Sequence, residues 1–190
     1  MLLGAANYIG RGKCCERDVM GVRKAMGNMA SSLSTWGLRH LAHRPAANMP
    51  GKIALKIDPR IIAESMDKIT EGSIVVVGTN GKTTITNMIA DALERQGKSI
   101  ACNRTGANLA YGVATTLLQT KGTVEWGVFE SDELWLAHTL PQVQADYVLL
   151  LNLFRDQLDR CGEIDRVQDA IATALEQSLN TTLLYNADDP

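Results

Sequence analysis

Ser73-Ile74-Val75-Val76-Val77, running into Gly78-Thr79-Asn80-Gly81-Lys82-Thr83-Thr84, decides how the rest of the chain is read. SIVVV is uncharged and rich in β-branched residues, as a strand buried on both faces should be. The glycine turn and Lys-Thr-Thr come next. Ile85, Met88, Ile89, Ala92 and Leu93 then follow at i, i+3, i+4, i+7 and i+8, which predicts one apolar helix stripe. Strand, glycine turn, Lys-Thr and helix together predict a phosphate-binding loop. Glycines let backbone N–H groups wrap an anion, and the helix start adds free N–H groups and its positive dipole end. In such a loop Lys82 reaches the β/γ-phosphates, Thr83 holds Mg²⁺, and Gly78, Thr79, Asn80, Gly81 and Thr84 complete the cradle. The general pattern places a further glycine where this chain has Val76, so the loop is the shorter G-x-x-G-K-T-T form. A plain strand-to-helix turn would account for the glycines but not for Lys82-Thr83-Thr84 beside them.

Size and composition narrow the class. The 190 residues carry 19 basic and 21 acidic side chains, a net charge of −2, so no broad electrostatic footprint for nucleic acid is present. With 45% hydrophobic and 21% charged residues the composition is that of a globular domain with a real core. No apolar run approaches the length of a membrane span. The cysteines, Cys14, Cys15, Cys102 and Cys161, lack C-x-x-C spacing and read as reduced thiols of a cytoplasmic protein rather than as a zinc or disulfide framework.

Residues 1–19 have no turn logic and no sustained period, and they read as a start-site extension with Met20 or Met26 as the true start. Residues 20–51 form an N-terminal helix and linker. Val22, Met26, Met29, Leu33, Trp36 and Leu41 recur at helical spacing among Arg23, Lys24, Arg39 and Arg44. Such a basic amphipathic helix could touch the inner face of a membrane; the alternative is a helix packed on the domain. Residues 52–190 form the ATP-binding domain. Lys52–Ile57 alternates polar and apolar and predicts a half-buried strand. Asp58-Pro59 predicts an N-cap and first helical position, with Ile62, Met66 and Ile69 on the buried face and Glu71-Gly72 ending the helix.

Beyond the loop helix, Gly97 is the expected left-handed terminator. Strands are then expected at Ser99–Asn103, Thr123–Phe129, Tyr147–Leu151 and Thr181–Tyr185. Helices are expected at Leu109–Gln119, at Leu134–Leu140 closed by Pro141, and from Ile164 to Leu175. The alternation predicts an open parallel sheet with helices on both faces. Every polar cluster (the glycine loop, RTGAN, ESDE, NLFRDQLDR and NADDP) falls at a strand's carboxyl end, where such sheets bind ligands. Asp189-Pro190 follows a strand with no helix to cover it, so the domain reads as C-terminally truncated.

Mg²⁺ takes oxygen ligands, and Glu130 at the tip of the third strand is the candidate partner to Thr83. Asp132 and Glu133 stand nearby, but either could instead cap the helix that follows. NLFRDQLDR combines acids and arginines in one loop, plausible machinery beside Mg-ATP or a solvated, internally paired loop.

GTNGKTT, NRTGAN, FESDE, NLFRDQLDR and NADDP, in this order, resemble the central ATP-binding domain of the Mur ligase family. PGKIALKIDP at Pro50–Pro59, and RDQLD where most members have a DHLD-type motif, point to the branch that amidates lipid II with a GatD-type glutaminase. The resemblance runs from about Gly21 to Pro190. It implies a ligase of peptidoglycan synthesis. ATP would phosphorylate a carboxylate of the D-glutamate in the stem peptide, and ammonia from the glutaminase would then give D-isoglutamine. It implies that Lys82 and Glu130 act in catalysis, that Thr83 and Glu130 hold Mg²⁺, and that Asn152 and NRTGAN face nucleotide and acceptor. Gln157 stands where the wider family has a metal-binding histidine, and Cys161 where this branch has an aromatic. A four-cysteine zinc insert, the rest of the ATP domain and a C-terminal domain would follow Pro190, so these residues alone are expected not to amidate. Two other readings stay open. One is a folylpolyglutamate-synthetase-like or other Mur-type ligase, the other a truncated nucleotide-binding fragment without activity.

Overall fold

The computed structural model describes residues 49–153 and 163–188. The segment at 1–19, the basic helix expected within 20–48, most of the NLFRDQLDR loop with Gln157, Cys161, and Asp189-Pro190 lie outside the described residues. Strands β1 (Ile69–Val77), β2 (Ile100–Cys102), β3 (Val124–Glu130), β4 (Tyr147–Leu150) and β5 (Thr182–Tyr185) form one sheet in the order β2-β3-β1-β4-β5. Every pairing is parallel, with Val75 opposite Phe129 on one side and Val148 on the other. The helices are α1 (Met49–Ile57), α2 (Ile61–Ser65), α3 (Lys82–Arg95), α4 (Ala110–Gln119), α5 (Leu136–Val143) and α6 (Glu163–Glu176).

The chain leaves β1 toward β2, turns back to β3, then crosses β1 to reach β4 and β5. Right-handed crossovers therefore put α3 on one face and α4, α5 and α6 on the other. The packing agrees: α3 lies on β1, β2 and β3, α1 and α2 pack against α4, and α5 packs against α6. Val75, Val77, Phe129 and Val148 face the larger helical layer and meet Val113, Leu117, Leu136 and Leu140 in a fully buried core. The connection leaving β1 goes to one face while those leaving β3 and β4 go to the other. That opens a crevice at the carboxyl end of the central strand, where ligands bind in sheets of this kind.

Several local expectations need correction. Lys52–Ile57 is not a strand but the body of α1, which begins at Met49 and so crosses the expected linker boundary at 51/52. Its buried positions are Pro50, Gly51 and Ala54, a stripe of small residues. A side-chain carbon on Gly51 would lie 2.0 Å from the Tyr111 carbonyl oxygen, and the Gly51 N–H donates to Thr115 Oγ1 at 2.9 Å. Helix backbones thus approach closely here, which alternation of larger residues could not reveal. Asp58 caps a turn, accepting from the Arg60 N–H at 3.0 Å, and the helix behind it starts only at Ile61. Glu71-Gly72 does not end a helix; both lie within β1, where Trp126 covers Gly72. On α3 the buried residues are Thr86 and Ala90, while Met88 is 60% exposed and Ala92 is exposed, so the stripe is rotated from the one expected. α5 runs through Pro141 to Val143 and ends at Gln144, whose φ is +45°.

An ionic cluster ties the opposite, amino-terminal ends of the strands. Lys98 Nζ contacts Glu71 Oε1 at 2.8 Å and Glu125 Oε1 at 3.0 Å. Glu125 also accepts from the Ser99 N–H at 2.8 Å and the Ser99 hydroxyl at 3.0 Å. These contacts, the Ser99 N–H first, hold the Glu125 carboxyl at about 2, below its ordinary 4.5. A depressed carboxyl stabilises the fold above its unfolded value, and that stabilisation is lost as pH falls toward 2. The melting temperature is therefore expected to fall between pH 5 and pH 2 less steeply in Glu125→Gln than in the wild type. Parallel profiles would show that the cluster adds nothing.

Candidate functional site

The crevice gathers residues from four adjacent strand ends, those of β2, β3, β1 and β4. Gly78 follows β1 with φ +141°, and a side-chain carbon there would lie 2.9 Å from Leu151 Cβ and 3.0 Å from the Asn152 N–H nitrogen. Gly81 caps α3 with φ +85°, a left-handed conformation open to glycine at little cost. Because α3 starts at Lys82, the N–H groups of Lys82, Thr83 and Thr84 fall in its first turn, where the helix offers no carbonyl partners. Asn80, Gly81, Thr83 and Thr84 are exposed.

Asn152, just past β4, holds this loop from the side. Its Oδ1 accepts from the Asn80 N–H at 3.0 Å, its Nδ2 donates to the Asn80 carbonyl at 3.1 Å, and its own carbonyl accepts from the Thr79 N–H at 2.9 Å. The Asn152 amide therefore bonds to loop backbone through both of its polar atoms, and it shapes the cradle instead of projecting into it.

Glu130 ends β3 and is 3% exposed. Its Oε2 accepts from the Thr83 hydroxyl at 2.7 Å, joining the two residues that the sequence pairs. Asn103 fixes the backbone beneath it. Asn103 Oδ1 accepts from the Glu130 N–H at 2.7 Å, and Nδ2 donates to the Glu130 and Ala107 carbonyls, both at 2.9 Å. Sequence reasoning missed this role; an asparagine directly after a short apolar strand was the only signal. The turn after Asn103 reaches Thr83 through Gly106, where a side-chain carbon would stand 3.4 Å from Thr83 Oγ1. Arg104 turns elsewhere, to Asp91 and Glu94 on the outer side of α3 at 2.6 and 2.9 Å.

Lys82 Nζ donates to the Gly78 carbonyl at 2.5 Å and the Thr79 carbonyl at 3.3 Å, and pairs with Glu133 Oε1 at 3.1 Å. Glu133 as the partner of Lys82 was not foreseen. Asp132 does not cap the following helix, since α5 starts at Leu136 with Trp135 at its N-cap and no side-chain cap bond; its Oδ1 instead accepts from the Leu134 N–H at 3.0 Å within the preceding turn. The three acids of ESDE thus have separate tasks, one at the threonine, one in the turn and one at the lysine.

A magnesium ion suits this donor set, since Thr83 offers a hydroxyl and Glu130 a carboxylate, both oxygen and both pre-positioned. Among the described residues no group of three or more His, Cys, Asp or Glu is arranged to hold a metal, so an ion here would draw its remaining ligands from phosphate and water. Cys102, the free cysteine of the described residues, is half-buried, and burial pushes its thiol up to about 11. No described helix is long and apolar enough to cross a membrane.

The architecture defines an open, all-parallel α/β domain with its polar residues converging at the carboxyl ends of the central strands. Residues 76–190 match the Mur ligase middle domain, and the chain belongs to the Mur ligase family. Over 174 residues it is 34% identical to the lipid II isoglutaminyl synthase (glutamine-hydrolyzing) subunit MurT of Streptococcus pneumoniae, covering 90% of this chain and 38% of that protein. Over 147 residues it is 37% identical to the subunit of the same name from Staphylococcus aureus, covering 75% of this chain and 32% of the relative. The chain thus spans roughly a third of the length of these relatives. Among solved structures, MurF ligase from Thermotoga maritima in complex with ADP superposes with a TM-score of 0.61 over 74% of this chain and 33% of that one. At 21% identity that likeness shows the fold alone.

Proposed function

We propose that this chain is the ATP-binding part of an ATP-dependent carbon–nitrogen ligase that amidates the D-glutamate of lipid II to D-isoglutamine. Ammonia comes from a GatD-type glutaminase. The observation that carries the reading is the Thr83–Glu130 contact of 2.7 Å beside the glycine turn and Lys82, at the carboxyl end of the central strand. The identities to the MurT subunits over most of this chain support the choice of acceptor and partner.

Lys82 and the N–H groups of the first turn of α3 bind and neutralise the phosphates. Thr83 and Glu130 would hold Mg²⁺, which when bound would draw charge from the phosphate oxygens. A carboxylate oxygen of the D-glutamate attacks the γ-phosphorus, the bond to the β-phosphate oxygen breaks, and ADP leaves. Ammonia then adds to the acyl carbon, inorganic phosphate departs with the bonding electrons, a proton is lost, and the amide remains. Phosphoryl transfer of this kind is mostly positioning and charge neutralisation, which a loop held by Asn152 and a Glu130 whose backbone is held by Asn103 provide.

Acyl-phosphate chemistry also needs water excluded and the acceptor held in line. The 190 residues alone, given glutaminase, glutamine, ATP and lipid II, are therefore expected to yield no amidated product. Silencing the gene in its host and weighing the muropeptides tests the function itself. D-isoglutamine content should fall and D-glutamate rise. Unchanged amidation would contradict the proposal.

A further inference from the structure

We infer that Glu133 acts as an internal stand-in for phosphate. It pairs with Lys82, and only a polyphosphate that reaches the lysine can displace it, so Glu133 sets nucleotide affinity and selectivity. This rests on the reading of the glycine turn as the nucleotide site. A lysine ammonium has three donor hydrogens and no acceptor. In this structure the chain itself supplies three acceptors, the Gly78 carbonyl, the Thr79 carbonyl and Glu133 Oε1. Two of these belong to the loop and move with it. The third arrives from another element, the turn after β3, and is the charged one.

That turn is held in place. The Asp132 N–H donates to the Asn108 carbonyl at 2.8 Å, Asp132 Oδ1 takes the Leu134 N–H, and the Trp135 N–H reaches the Asp132 carbonyl at 3.2 Å. Glu133 therefore extends from a fixed backbone, and its side chain is what can move. The side chains of Lys82 and Glu133 are 14% and 13% exposed, so solvent screens the pair less than an open surface pair. Glu130 is occupied by the Thr83 hydroxyl and Asp132 by the turn, which leaves Glu133 as the acid of ESDE that competes for the lysine.

A ligand that takes Lys82 must first release it from Glu133, and its apparent affinity is reduced by the fraction of protein in which the lysine is engaged. A di- or triphosphate can repay this with charge-assisted bonds. A nucleoside monophosphate, whose single phosphate does not extend to the β/γ position, gains nothing from Glu133 release.

Equilibrium titration of ATP, magnesium-free ADP and AMP against wild type, Glu133→Gln, Lys82→Ala and the double variant tests this, with circular dichroism to verify folding. Glu133→Gln should bind ATP and ADP roughly two- to fivefold more tightly, with AMP unchanged. In the Lys82→Ala background the same substitution should have no effect, because the effect runs through the lysine and not through net charge. Wild-type binding with equal or weaker affinity in Glu133→Gln would overturn the inference while leaving the nucleotide site intact. A gain that persists without Lys82 would also overturn it. Absence of nucleotide binding in all four proteins would remove the site itself.

Discussion

Phe129→Ala is expected to destabilise the domain by about 3–5 kcal/mol, the range for emptying a fully buried aromatic site. Phe129 is completely buried, on the β3 face that meets the larger helical layer. Its ring lies over Gly127, where a side-chain carbon would stand 2.7 Å from Cε2, so the glycine leaves the space that the ring fills. Domains of this size have about 5–15 kcal/mol in total, so a loss on this scale should lower the melting temperature by roughly 10 °C. Phe129 also precedes Glu130, so the substitution should loosen the carboxylate at Thr83. Thermal denaturation of the two proteins decides it, and a shift of a degree or two would mean that the core closes around the gap.

Lys82→Ala should lower ATP affinity about ten- to a hundredfold, since charge-assisted bonds of this type are worth roughly 1.5–3 kcal/mol. The substitution removes the ammonium that makes those bonds and leaves the Gly78 and Thr79 carbonyls without their donor. Calorimetric titration of the folded variant reads the change directly. Unchanged affinity would mean that the phosphates lie elsewhere.

The sequence made the sheet and the site legible to different depths. SIVVV, the glycine turn and the positions of Glu130 and Asn152 could be read because buried parallel strands are continuous apolar runs and the polar residues cluster at their ends. The helix faces could not be read so well. α1 and α3 bury Gly51, Ala54, Thr86 and Ala90, small residues that permit close backbone approach, while Met88 stays exposed. A search for large apolar residues at helical spacing finds the wrong side of such helices. Lys52–Ile57 alternates over too few residues to separate a strand from a helix, and the tertiary contact of Gly51 with α4 decides between them. The tasks of Glu133, Asn103 and Asn152 were hidden for another reason. Each depends on a partner tens of residues away, 51 for Lys82–Glu133 and 72 for Asn80–Asn152, and no local pattern encodes such a pair.

The proposed function rests on Thr83 and Glu130 holding a magnesium ion against nucleotide phosphates bound by the glycine turn. Titrating ATP into the wild type and into Glu130→Gln, each with and without Mg²⁺, tests it most directly. Magnesium should strengthen ATP binding to the wild type by roughly tenfold or more, and Glu130→Gln should lose that gain while keeping its magnesium-free affinity. ATP binding to the wild type that ignores magnesium, or a Glu130→Gln variant that keeps the full gain, would contradict the account.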